Sequence, residues 1–233
     1  MGWQAWLSGH EYDLEDLARL FASGDTRVIR DGEGHYLTSS VIDDRPQGVA
    51  FYEAAQIALA LVNGAGRAHD SSFKPVRLTG RYTDGDKTHH VVSVEGIETR
   101  SRAGIATVTI PGQAVAPPPP PPGPTLVALA IQHPDVSDAL MLLGKPEPLN
   151  WVELYKVFEV IRDSVKPTPL DKSGLATKDE ISAFTGSANR PDVSGPDARH
   201  ARMGGGPPQR QMTLREGQDF ISRLAKAWME SLQ

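Results

Sequence analysis

Pro117 to Pro122 are six consecutive prolines, followed by Gly123 and Pro124. Proline fixes φ and carries no backbone N–H, so this run enters neither a helix nor a central strand. Polyproline II suits it, an extended spacer of ~3.1 Å per residue. Composition also changes across it, which makes it the natural place to divide the chain. The spacing predicts an α+β domain over residues 1–113, a Pro-rich linker over 114–124 and a helical bundle over 125–233.

Before the linker the pattern mixes both periods. Trp3 to Leu7 reads as a strand, and Asp13 can cap a helix with Leu14, Leu17, Leu20 and Phe21 on one face. Thr26 to Asp31 and His35 to Ser40 read as strands about a Gly32-Glu33-Gly34 turn. Phe51 to Asn63 is apolar nearly all round and reads as a buried helix that Gly64 ends. Three more strands are expected at Val76 to Tyr82, His89 to Val94 and Ile105 to Ile110, with Asp84-Gly85-Asp86 turning the first into the second. The order implies a mostly antiparallel sheet.

After the linker the reading is helical. Thr125 can cap Leu126 to Gln132, which Pro134 limits, and Asp135 or Ser137 can cap a helix reaching Leu143, with Gly144 as its stop. Asn150 precedes a stripe of Trp151, Leu154, Tyr155, Phe158, Ile161 and Val165 at helical spacing. Thr177 and Thr213 each stand three residues ahead of a glutamate, Glu180 and Glu216, the capping-box spacing. Phe158 and Trp228, on the stripes of two of these helices, are expected in the core.

At 233 residues the chain can bury a sizeable core. It has no cysteine, which excludes disulfides, thiolate-ligated metals and a thiol nucleophile. A net charge of −5 gives no overall pull toward nucleic acid or anionic lipid. The start is acidic, with Glu11, Asp13, Glu15 and Asp16, and lacks the basic-then-apolar pattern of a secretory signal. Its most apolar stretch, Ala54 to Val62, falls short of the ~20 residues that span a bilayer. A cytoplasmic protein with no cofactor and no membrane partner is expected.

Common catalytic motifs are missing. Gly204-Gly205-Gly206 runs into Pro207-Pro208 rather than into the Lys-Ser or Lys-Thr of a phosphate loop. His89-His90 would point to opposite faces of a strand and cannot chelate one metal. His10 beside Glu11 and Asp13 reads as part of a helix start, and Ser8-Gly9-His10 lacks the strand-to-helix elbow of a nucleophilic serine.

The segment from Asn189 to Arg215 stands apart. Arg190, Arg199, Arg202, Arg210 and Arg215 face only Asp192 and Asp197 there, a local net charge of +3 in an acidic chain, with His200 in addition. Its prolines and glycines forbid regular structure, and long irregular connections often carry function. Clustered arginines grip phosphates, as does the N-terminus of a following helix. Arg199-His200 is the sharpest pair, since arginine can hold a phosphodiester and histidine can move a proton near neutrality.

The layout of the helical half, from Trp151 to Leu232 with Arg199-His200 ahead of the last helix, resembles the HEPN class of bacterial helical bundles. The family pattern sets a short spacer between Arg and His, whereas here the two are adjacent. The resemblance implies RNA binding or cleavage, dimerisation and a toxin or antiviral-defence role. It would make Arg199 and His200 the catalytic pair and Arg190, Arg202, Arg210 and Arg215 the nucleic-acid contacts. Two readings follow: a non-catalytic bacterial interaction or assembly protein with a protein partner or self-association, and an HEPN-like RNA-binding or RNA-cleaving effector.

Overall fold

The computed structural model describes residues 2–44, 49–85, 87–91, 120–206 and 208–233. The expected strand at Ile105 to Ile110, the end of the one at His89 to Val94, and Pro117 to Pro119 lie outside the described residues.

The N-terminal part holds β1 (Gln4–Ser8), α1 (Glu11–Leu20), β2 (Arg27–Asp31), β3 (Gly34–Thr38), a short α2 (Ser40–Asp43), α3 (Val49–His69), β4 (Arg77–Asp84) and β5 (Lys87–His90). Its strands form one sheet in the order β2-β3-β1-β4-β5, every pair antiparallel. The chain is thus α+β, as the sequence predicts. β1 is central because both faces of its short run can be covered. Ala5, opposite Leu37 on one side and Tyr82 on the other, points into the core. Trp6 points the opposite way, beneath the Arg81 guanidinium at 4.4 Å, and its indole N–H donates to Thr83 Oγ1 at 2.9 Å.

Two local expectations are corrected here. The N-cap of α1 is His10, whose Nδ1 accepts the Tyr12 N–H at 3.3 Å. Asp13 lies inside the first turn, 1% exposed, and accepts the backbone N–H of Lys74 at 3.0 Å. It clamps the turn after α3 instead of starting the helix. The second correction concerns Gly64, which does not end α3; the helix continues to His69. A Cβ at Gly64 would overlap the carbonyl oxygen of Leu140, and one at Gly66 would press on the Phe73 ring. Both glycines let other parts of the chain approach the helix, and a lone glycine costs too little to stop it.

The C-terminal part is helical: α4 (Gly123–Gln132), α5 (Pro134–Leu143), α6 (Trp151–Ser164), α7 (Lys178–Asn189), a single turn α8 (Pro191–Ser194) and α9 (Leu214–Glu230). α4 and α5 begin earlier than Thr125 and Asp135 suggest, because Pro124 and Pro134 occupy first-turn positions where a missing N–H costs nothing. Asn150 Oδ1 accepts the N–H groups of Val152 and Glu153 at 2.9 and 3.0 Å, and both capping boxes form as spaced. Phe158 and Trp228 are 2% and 1% exposed.

The two sides of the proline run do not bury separate cores. α3 packs against α4, α5 and α9, and one cluster of buried side chains runs from Trp3 through Val62 to Leu140, Phe184 and Trp228. Pro122 and Gly123, expected in the spacer, already start α4, and Gly123 is buried against the end of α1. The physical reason is that α3 is apolar on nearly every side. The sheet covers only part of it, and the remainder needs the helices that follow.

Candidate functional site

The basic segment leaves α7 at Asn189 and reaches α9 at Thr213, held at several points. Ser187, on the last turn of α7, accepts the Met212 N–H on its hydroxyl at 2.8 Å and the Ser194 hydroxyl on its carbonyl at 2.7 Å. Gly186 leaves room for Pro208. These contacts fasten both ends of an irregular connection to one helix.

Arg190 is 5% exposed and its donors are engaged within the loop. Nε and Nη2 form a fork on the Asp192 carboxylate at 3.0 and 2.9 Å, which holds that carboxyl below its usual range. Nη1 and Nη2 also donate to the carbonyls of Gly204 and Gly205 at 3.2 and 2.5 Å. The glycine run is bent back onto α8 by this one side chain.

Arg199 is the second pin. Its backbone N–H donates to the Ala188 carbonyl at 2.7 Å. Its guanidinium lies 4.2 Å from the centre of the Tyr155 ring, a cation–π distance, with Nη2 3.4 Å from Glu159 Oε1 and Nη1 3.5 Å from Asn189 Oδ1. His200 is exposed, its Nε2 3.5 Å from Arg199 Nη1. Arg202 and Arg210 are exposed, and Met203 between them in sequence is 48% exposed. Arg215 stands on the first turn of α9 and opens onto a cleft that Arg190, Arg199, His200, Arg202 and Arg210 do not line. The expected group of basic residues is therefore divided into a buried pin, a stacked pin, an exposed tip and a cleft residue.

Tyr155, Glu159 and Ser187 hold this arrangement together and were not legible as loop partners. Tyr155 belongs to the apolar stripe of α6, and only its four-residue spacing from Glu159 hints at a polar edge on that helix. Elsewhere, His89 packs its ring on Trp3 while His90 is exposed, so the pair does point to opposite sides of β5. No group of three or more metal-ligating side chains occurs among the described residues. Nor is any described helix long and apolar enough to cross a membrane. The chain matches no protein-family model, no curated protein and no solved structure.

Proposed function

We propose that the chain is a cytoplasmic, non-catalytic interaction protein whose contact surface is the tip of the loop between α7 and α9. The observation that carries this reading is the commitment of Arg199. Its guanidinium is stacked on Tyr155 and turned to Glu159, and its backbone is fixed to Ala188. Arg199 is solvent-exposed, yet a phosphodiester would compete with the Glu159 carboxylate and the Tyr155 face for its guanidinium. Arg190 is still less available, buried on Asp192 and two loop carbonyls. A loop so fastened loses little entropy on binding, which favours recognition of a partner by the exposed His200, Arg202 and Met203.

The test has two arms on the purified full chain. Sedimentation is expected to show self-association that Met203→Asp weakens without changing the melting temperature. Incubation with single-stranded RNA at low salt is expected to give no cleavage. RNA cleavage that His200→Ala abolishes would overturn the proposal in favour of an HEPN-like nuclease.

A further inference from the structure

A cleft of about 620 Å³ lies where the sheet side of the molecule meets the helical side. Its walls come from the β1–α1 turn, the turn after α3, the connection between α5 and α6, and the first turns of α9. That volume falls in the range of small-molecule sites. None of the loop residues discussed above except Arg215 contributes to it.

Three arginines line it, Arg67, Arg77 and Arg215. Arg67, near the end of α3, is 7% exposed. Its guanidinium donates to the backbone carbonyls of Leu143, Lys145 and Glu147 at 2.8, 2.8 and 3.1 Å. Among the described residues no carboxylate lies within ion-pair distance of it. Burial pushes its pKa down to about 10, which leaves it charged at neutral pH. Carbonyl dipoles satisfy its N–H groups, and the nearest opposing charge, Glu147, acts on it only from beyond ion-pair distance, so the buried positive charge is incompletely compensated. Arg77, at the start of β4, and Arg215 are exposed on the same cleft and likewise form no ion pair among the described residues. By contrast Arg30, Arg81, Arg190 and Arg223 each sit on a carboxylate.

The cleft carries acids too: Asp13 is buried, whereas Glu147 and Asp219 are exposed and set a limit on its positive charge. Asp13 is buried and accepts the Lys74 N–H, and Asp219 accepts the Ser71 hydroxyl across the cleft. Glu147 is exposed and interacts electrostatically with Arg67. On the other side Phe73, Pro75, Pro146 and Leu149 present apolar surface.

We propose that this cleft binds a small organic phosphate, its phosphate held between the Arg77 and Arg215 forks above the charge of Arg67, its body against Pro75, Pro146 and Leu149. Phosphate is favoured because two planar forks can each offer paired N–H donors to its oxygens. The ligand could equally be a nucleotide or a sugar phosphate, which share this chemistry.

Titration calorimetry on the full chain with pyrophosphate, ADP and ribose 5-phosphate tests it. At least one probe is expected to bind with a Kd below about 1 mM, a standard free energy of about −4 kcal/mol. ADP alone would identify a nucleotide site, and ribose 5-phosphate alone a sugar-phosphate site. Arg77→Gln and Arg215→Gln are each expected to weaken binding at least tenfold while the melting temperature holds. Arg202→Gln, on the loop, should leave it unchanged, so failure here is distinct from failure of the interaction reading. No heat with any probe, or binding indifferent to both cleft substitutions, would overturn the proposal.

Discussion

Gly64 of α3 rests directly on the backbone of Leu140 in α5, with no room between them for a side chain. The contact is reciprocal, because Gly144 at the end of α5 lies equally close to the carbonyl of Ala60. Two glycines thus let a helix from before the proline run and one from after it touch backbone to backbone. Gly64→Ala and Gly144→Ala are each expected to destabilise the fold by ~1–3 kcal/mol, the usual cost of overpacking. At Gly64 this outweighs the ~1 kcal/mol gained in helix propensity. Gly32→Ala, which meets nothing within 4 Å, should stay within about 0.5 kcal/mol of the parent. Urea denaturation of the three variants measures this.

Separate expression of residues 1–113 and 125–233 follows from the same contact. The first piece would expose the face of α3 carrying Val62 and Ala65, both fully buried in the intact chain. The second would expose Leu140 and Leu143, also fully buried. Each piece is expected to lack a cooperative melting transition, and the two mixed should regain one; two sharp, independent transitions would refute a shared core.

Trp228 and Phe158 sit at the centre of the helical side. Phe158→Ala and Trp228→Ala should each cost ~3–5 kcal/mol, through lost burial and the cavity left behind. Trp228→Phe should cost less than half as much as Trp228→Ala. The indole N–H has no hydrogen-bond partner among the described residues, so removing it offsets part of the lost volume. Chemical denaturation at neutral pH checks the ranking.

Arg190 and Arg199 should separate local order from global stability. Arg199→Ala removes a stack of ~0.5–1 kcal/mol and should speed proteolytic nicking between residues 200 and 206 with little change in melting temperature. Arg190→Ala removes a buried side chain together with its fork on Asp192 and its bonds to Gly204 and Gly205, and should cost more, on the order of 1–3 kcal/mol, through the lost charge-assisted hydrogen bonds. Timed trypsin digestion followed by mass spectrometry reads the nicking sites.

Acid should attack α7 and α9 at their starts. The Glu180 and Glu216 carboxyls are held below the usual glutamate range, first by the N–H groups of Thr177 and Thr213 and then by the same residues' hydroxyls. A carboxylate whose folded value is depressed contributes its full stabilisation above the ordinary value of ~4.3 and loses it as pH falls through the lower folded value. Melting temperature should therefore drop as pH falls below the ordinary glutamate value of ~4.3, and Glu180→Gln with Glu216→Gln should flatten that limb relative to the parent. An unchanged slope in the double variant would show that the capping carboxylates contribute nothing.

Local signals carried much of the fold. Short runs bounded by turn signals, Gly32-Glu33-Gly34 and Asp84-Gly85-Asp86 among them, placed β2 to β4, because a tight turn is written in the few residues that make it. The capping boxes at Thr177 and Thr213 and the cap at Asn150 were readable for a similar reason, since each is completed within three residues. Gly64 misled because a glycine in a helical run has two meanings, stop and close approach, and the neighbour that decides between them is 76 residues away at Leu140. Asp13 misled likewise, its partner Lys74 being 61 residues distant.

The basic loop shows the same limit at the candidate site. Sequence by itself determined that five arginines and a histidine fall within one stretch rich in proline and glycine, because charge and backbone freedom belong to the residues themselves. That such a stretch forms no regular structure is too strong an expectation, since it holds the turn of α8 and runs into the start of α9. Only the tertiary structure decided what each charge does. It buried Arg190 on Asp192, laid Arg199 on Tyr155, left His200 and Arg202 exposed and sent Arg215 to a cleft with Arg67 and Arg77. Whether an arginine is a structural pin or a free cation depends on the carboxylates, carbonyls and rings that folding brings to it, and these come from helices and turns far along the chain.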